Sequence, residues 1–348
     1  DQPRSRGLGD VYKRQGMNNL VLNCDAHDNY DGYSEGDSGN VDGFGGHANK
    51  ETSTGNIFRG CRAWNNGDDG FDLINCYASY IIEYCWSFRN GYKPHSIESS
   101  GGNGAGFKSG GYGMGDIKKV PNPIPQHTVR YCLAYYNRQQ GFYSNHHLGG
   151  LIFENNTAYK NPSNYNMLNR KSSNEAVDVP GYGHIIKNNL SLSPRNSGGF
   201  PQHLINVDNT LSEIKNNSFA PNDLNLSESD FESLNEQELM GSRKSDGSLP
   251  DINFLRLTNH ANFRFSGMGC FINEEAVDYS WIQEPAIVLE NGVARIVGED
   301  SKSFNKFYVN GEEVSIENGI VDLTSMSGEL NLKAISENGA VTTLIINK

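Results

Sequence analysis

Several things are scarce or missing in this chain of 348 residues. It has no run of 18 apolar residues, which excludes an ordinary membrane-spanning helix. Basic charge is short: 29 Lys and Arg stand against 41 Asp and Glu, for a net charge of −12. No basic stripe can therefore gather phosphates, and a nucleic acid is excluded as partner. Only 20% of the residues are charged and 36% are apolar, unlike a charge-rich disordered chain or a coiled coil. The six cysteines form no C-x-x-C pair, which argues against a zinc or thioredoxin-type motif.

What is abundant is Gly and Asn, 39 and 43 residues. Both are poor helix formers, and Asn favours turns and the left-handed conformation. The chain therefore suits a fold of many tight turns, in one large or two ordinary domains. Residues 1–15 match no later pattern and lack the apolar stretch of a signal peptide. They are expected to be a non-native, adapter-like segment before an N-terminally truncated domain.

A pattern recurs along the chain: alternating apolar residues, then Cys or Asn, then Asn again a few positions on. It reads LVLNCDAHDN at 20–29, NIFRGCRAWNN at 56–66, YIIEYCWSFRN at 80–90 and HTVRYCLAYYN at 127–137. It continues through LIFENNTAYKN, HIIKNNLSLSP and LSEIKNNSFAP. The aligned position holds Cys24, Cys61, Cys85, Cys132, Asn156, Asn189 and Asn217. A variable period with short β-alternating segments predicts a parallel β-helix, whose coils share one core and carry insertions as loops. Residues in one register then form a column. The Cys are expected to be reduced and stacked inward as small apolar groups, continuing into an Asn ladder.

A second column is a Gly-Phe pair at Gly43-Phe44, Gly70-Phe71, Gly106-Phe107 and Gly141-Phe142. The Phe side chains are expected to stack in the core. Alignment on this pair puts Asp42 with Asp69, and Asp72 with Lys108 and Tyr143. Asp42, Asp68, Asp69 and Asp72 then crowd two adjacent coils. Four such carboxylates repel strongly without a cation, and Ca²⁺ takes oxygen ligands at a spacing two coils can clamp. Gly70 is expected to bend the backbone so that these carboxylates converge. Lys108 beside a divalent cation loses its proton more readily and can serve as a Brønsted base. The Gly/Ser-rich insertions at 30–41 and 92–104 are expected to wall the site.

The strings FRGCRAWNNGDDGFDL, GNGAGFKSGG and GFYSNHHLGG resemble the pectate lyases of polysaccharide lyase family nine, over roughly residues 17–260. The resemblance implies a right-handed parallel β-helix. It assigns Asp42, Asp68, Asp69 and Asp72 to calcium, Lys108 to proton abstraction and Asn145 to sugar contact. It implies β-elimination on an acidic pectic polysaccharide by a secreted, periplasmic or cell-surface bacterial enzyme, expected to be a monomer. Arg62, Lys93, Arg138 and His47 are further candidates for meeting substrate. Polygalacturonate is the first substrate reading and rhamnogalacturonan I the alternative. A β-helix glycoside hydrolase and a non-catalytic carbohydrate-binding β-helix are the other readings; Lys108 in register disfavours the former, which needs paired acids.

The catalytic β-helix is assigned to 16–226. Residues 227–279 read as a helical or loop cap covering the end of the stack, with Ser229 or Asp230 as N-cap. Residues 280–348 alternate again, with Asn-Gly hairpin signals at 291, 310 and 338, and read as a small antiparallel β module.

Overall fold

The computed structural model describes residues 16–33, 38–113, 117–195, 202–220, 224–271, 286–290, 292–297, 301–317, 319–337 and 341–348. The chain divides into two compact units, residues 1–256 with 268–272, and residues 257–267 with 273–348. Among the described residues no helix is long and apolar enough to cross a membrane. Residues 1–15 lie outside the described residues.

In the first unit three parallel sheets run side by side, so the chain winds as a β-helix. The first sheet takes Leu20–Leu22, Asn56–Arg59, Tyr80–Glu83, Thr128–Arg130, Ile152–Glu154, Ile185–Lys187 and Glu213–Lys215. The second takes Asp25–His27, Arg62–Trp64, Trp86–Phe88, Leu133–Tyr135, Thr157–Tyr159 and Leu190–Leu192. The third takes Phe44–Gly45, Phe71–Asp72, Phe107–Lys108, Phe142–Tyr143, Tyr165–Asn166 and Leu204–Ile205. One strand of each makes a coil; among the described residues there are six such coils, and Glu213–Lys215 adds a seventh strand to the first sheet.

Two residues turn each first strand into its second. The first of the two is left-handed: Asn23, Gly60, Tyr84, Tyr131, Asn155, Asn188 and Asn216 all have positive φ. The second is the expected Cys/Asn column. Asn156 accepts from the Cys132 amide at 2.9 Å, and its own side-chain NH₂ donates to Asn189 at 3.1 Å. Asn189 donates in turn to Asn217 at 3.0 Å. The described cysteines are all free, five of them buried.

The next corner repeats this arrangement. Asp28, Asn65, Arg89, Tyr136 and Lys160 are left-handed, and each precedes an Asn. These form a second ladder that sequence reasoning saw as a recurring letter but did not read as a bonded column. Asn29 donates to Asn66, Asn66 to Asn90, Asn90 to Asn137 and Asn137 to Asn161, at 2.7–3.1 Å. Each buried amide thereby satisfies the coils above and below it.

The Gly-Phe column is the inner lining of the third sheet. Phe44, Phe71, Phe107, Phe142 and Tyr165 stack with centroids 4.9–5.0 Å apart, and burying each ring is worth about 1.5–3 kcal/mol. The preceding glycine is needed for space, not for a bend. Gly70 is not among the positive-φ glycines, but a Cβ there would sit 2.0 Å from Ser87 Oγ and 2.8 Å from the Asn90 amide.

The segment expected to cap the end of the stack runs instead along the outer face of the second sheet. Arg62 donates to the carbonyls of Leu239 and Gly241 at 2.9 and 2.8 Å. Tyr135 packs edge-on against Phe254 at 5.1 Å, and Tyr159 donates to Glu228 at 3.0 Å. The outward aromatics of that sheet are buried because this segment covers them. Its short Glu228–Asp230 turn is capped by Ser227, two or three residues before the expected positions.

In the second unit, strands from Ala286–Glu290 to Val341–Asn347 form a three-stranded and a four-stranded antiparallel sheet. The hairpin at Asn310-Gly311 turns with both residues at positive φ, as Asn-Gly favours. Asn291 and Asn338 lie outside the described residues.

Candidate active site

The corner leading into the third sheet carries the acidic residues. In the second coil Asn66 ends its ladder step, and Asp68 and Asp69 follow before Phe71 turns inward. Backbone bonds from Gly43 to the Asp69 carbonyl and from Gly70 to the Ala105 carbonyl, both 2.9 Å, hold three coils in register there. Asp42 therefore lies beside Asp69 and accepts from its amide at 3.0 Å.

The long loop of the next coil folds over these carboxylates. Asp68 accepts from the amides of Asn103 and Gly104 at 2.5 and 3.3 Å, and Asp69 from Ala105 at 2.6 Å. Oxygens of Asp42, Asp68 and Asp69 all lie within 4.8 Å of one another. Asp72 stands outside this group. One of its oxygens accepts from the Ile74 amide at 2.7 Å; the other meets Lys108 Nζ at 3.1 Å. The register Asp72–Lys108–Tyr143 is that of the sheet itself. Nζ also lies 3.0 Å from Asp69 Oδ2, although that buried oxygen makes no aligned hydrogen bond.

The charges do not balance: one ammonium faces four carboxylates. Burial, then the charges of Asp72, Asp69 and Asp68, pushes the Asp42 carboxyl well above the usual carboxylate range. Burial likewise raises Asp68 and takes Asp69 to about 7, against the opposing pull of Lys108. For Lys108 burial works downward, but Asp72, Asp69 and Asp42 outweigh it and hold the ammonium well above its ordinary value. Hard oxygen donors with excess negative charge are what a divalent cation such as Ca²⁺ binds. The unbonded Asp69 oxygen is a ready ligand.

The remaining sequence candidates divide. Arg138 donates to the carbonyls of Gly102 and Asn103 at 2.6 and 3.2 Å, clamping the loop whose amides hold Asp68. His47 is half-buried and its Nδ1 lies 2.8 Å from the Ile74 carbonyl. Its Nε2 would come 3.1 Å from a Cβ on Gly45, the residue in register with Asp72. Arg62 is not at the site. It is buried on the second sheet in a salt bridge to Asp25 at 2.7 Å, beneath the 239–241 backbone. Asn145 is buried and left-handed, and its NH₂ donates to the Gly110 carbonyl at 2.8 Å, bracing a turn. Lys93 pairs with Glu98 inside its own loop at 3.4 Å. Four of the residues in the 30–41 insertion, 34–37, lie outside the described residues.

Sequence reasoning missed a hairpin, Asn169–Ser172 with Glu175–Val179. It brings Asp178 within 2.7 Å of His146 Nδ1, and His146 Nε2 lies 2.9 Å from the Tyr143 hydroxyl. The signal available was the polar turn SSNE between two short alternating stretches.

A family model described as "Pel9A-like, right handed beta helix region" matches residues 4–214. Another, "Rhamnogalacturonan lyase-like, C-terminal", matches residues 208–343. Pectate lyase L of Dickeya chrysanthemi is 34% identical over 276 residues, covering 79% of this chain and 56% of that protein. Pectate lyase L of Paenibacillus polymyxa is 31% identical over 260 residues, with 72% and 50% covered. A solved rhamnogalacturonan lyase matches with TM-score 0.68 at 55% identity, over 74% of this chain and 61% of that one. The crystal structure of pectate lyase Pel9A matches with TM-score 0.56 at 31% identity, over 74% and 60%. The chain thus spans about half the length of these two curated relatives.

Proposed function

The chain belongs to the Pel9A-like right-handed β-helix family, and on that premise we propose that it is a calcium-dependent polysaccharide lyase cleaving galacturonate-containing pectic polymers by β-elimination. The carrying observation is the buried Lys108, 3.0–3.1 Å from Asp69 and Asp72 beside three converging carboxylates. Asp42, Asp68 and Asp69 would hold Ca²⁺, and Asp72 would join them through the oxygen that now faces Lys108. When bound, the cation supplies positive charge that holds the uronate carboxylate and makes the C5 hydrogen more acidic.

The chain's own residues do the rest. With Asp69 and Asp72 engaged in holding a cation, Lys108 would lose the counter-charges that keep it an ammonium. As a free amine Lys108 takes the C5 proton. The electron pair of that C–H bond forms the C4–C5 double bond as the C4–O bond breaks, leaving a 4,5-unsaturated sugar at the new non-reducing end. Arg138 and the 103–105 amides keep the carboxylates in place while this happens.

For the substrate, the neighbour at 55% identity carries the name rhamnogalacturonan lyase, against 34% for a pectate lyase relative. This favours rhamnogalacturonan I over polygalacturonate. Such polymers are too large to enter a cell, so the enzyme acts outside the cytoplasm, secreted, periplasmic or at the cell surface. It acts as a monomer, since every residue in the scheme lies in one unit of one chain. The test is ultraviolet absorbance of unsaturated uronide from both polymers, with and without chelator. New reducing ends without absorbance would instead mark a hydrolase.

A further inference from the structure

Elimination leaves a charged oxygen on the departing sugar, and nothing in the scheme above protonates it. The row that carries the base continues one strand further. Tyr143 is the register neighbour of Lys108, and adjacent parallel strands lie about 4.8 Å apart. The two side chains reach different partners. Lys108 reaches back to Asp69 and Asp72 of the preceding coil, whereas the Tyr143 hydroxyl lies 2.9 Å from His146 Nε2 in its own coil. The amine and the phenol thus occupy neighbouring coils of one register with different partners. Galacturonate projects its C5 hydrogen and C4 oxygen from opposite ring faces, so acceptor and donor must flank the ring from either side.

The phenol is also held and supplied. His146 Nδ1 lies 2.7 Å from Asp178 Oδ1, and Arg170 approaches the same carboxylate at 3.3 Å. A carboxylate at Nδ1 orients the ring and accepts a hydrogen from that nitrogen, which turns Nε2 toward Tyr143. With a hydrogen on Nε2 as well, that N–H would donate to the Tyr143 oxygen and the phenol hydrogen would turn away from His146. Both residues are half-buried, with 28% of the His146 side chain in contact with solvent. Burial, helped by the Asp178 charge, pushes the Tyr143 hydroxyl up to about 12, so it is a neutral donor at ordinary pH.

We propose that Tyr143 is the general acid of the reaction, positioned and recharged by His146 and Asp178. This rests on the lyase reading above. As the C4–O bond breaks, its electron pair stays on the departing oxygen, which takes the Tyr143 proton. The phenolate oxygen takes the proton of His146 Nε2, and the imidazole regains one from water. Lys108 returns the C5 proton to water, so the cycle closes without any further reactant.

The test compares Tyr143→Phe and His146→Gln with wild type on the pectic polymer that wild type cleaves. A second substrate is a galacturonate bearing 4-nitrophenolate at C4, a leaving group that needs no proton. On the polymer Tyr143→Phe is expected to lower kcat about 100-fold or more, with KM within about twofold. On the activated substrate it should stay within about threefold of wild type, because the lost step is no longer required. His146→Gln should show the same contrast at smaller size. Equal losses on both substrates, or a change confined to KM, overturn the assignment. Absence of unsaturated product from wild type itself overturns the lyase reading and the acid with it. Active wild type with an equally active Tyr143→Phe removes the acid alone.

Discussion

Asp72 and Lys108 occupy one register on adjacent coils, and their side chains meet at 3.1 Å with both groups largely buried. The same ammonium lies 3.0 Å from Asp69. Lys108 is thus the internal counter-ion of the acidic cluster. A cation bound there competes with it for the same carboxylates, and the competition couples metal binding to the state of the base.

That coupling has an opposite effect on two measurements of one variant. Lys108→Ala should abolish elimination, lowering the rate by about 100-fold or more, as loss of a general base does. It should also bind Ca²⁺ at least as tightly as wild type, because a competing positive charge within about 4 Å is gone. Calorimetric titration reads the second effect. Weaker calcium binding in Lys108→Ala would show that the lysine organises the carboxylates and does not compete for them.

The second Asn ladder gives a stability prediction. Asn137 donates to the Ser87 carbonyl and to Asn161 at 3.0 and 3.1 Å, and accepts from the amide and side chain of Asn90 at 3.2 and 3.0 Å. Asn137→Ala leaves several buried groups unbonded, each costing about 1–3 kcal/mol. Urea unfolding should show a loss of at least about 2 kcal/mol. A loss below about 0.5 kcal/mol, the range of surface substitutions, would mean the ladder is not fixing the coils.

Both columns were readable because stacking forces one residue type into one register, whatever the length of the loops between. Spacing also brought Lys108 onto Asp72. It did not tell which carboxylates converge, since Asp68, Asp69 and Asp72 straddle a corner whose amide partners at 103–105 come from the next coil. Arg62 was misread for a different reason. Its outward direction follows from strand alternation, but what covers it arrives from Leu239 and Gly241, far along the chain. The left-handed turn at Asn145 and its bond to the Gly110 carbonyl were likewise not readable from the motif. The Tyr143–His146–Asp178 contacts depend on a hairpin whose strands are short and polar, so the turn SSNE between them was easily passed over.

The stacked thiols make a chemical prediction. Burial raises the Cys85 thiol well above its ordinary value, with Cys132 adding to the effect, and burial takes Cys270 to about 12. The thiolate is the reactive form, so the five buried cysteines should resist an aromatic disulfide reagent until the protein unfolds. Cys24, in the first coil and half-buried, should be the one that reacts in the native state. Rapid native labelling of more than one thiol per chain would contradict the stacked column.

Arg138 tests whether the loop is part of the cation site or only its wall. Its guanidinium holds the carbonyls of Gly102 and Asn103, and the amides of Asn103, Gly104 and Ala105 hold Asp68 and Asp69. Those bonds stabilise the carboxylates as anions and fix which oxygens face one another. Arg138→Met keeps most of the aliphatic stem beside Gly91 and Gly104 but removes the clamp. Losing two charged hydrogen bonds on a half-buried side chain should cost about 1–3 kcal/mol in the ordering of the loop. Calcium affinity should then fall about 5- to 100-fold, while resistance of the coil stack to urea changes little. The decisive comparison is activity at saturating calcium. If Arg138 acts only through the loop, excess cation restores most of the rate; if it meets substrate, the loss stays in KM at any calcium concentration.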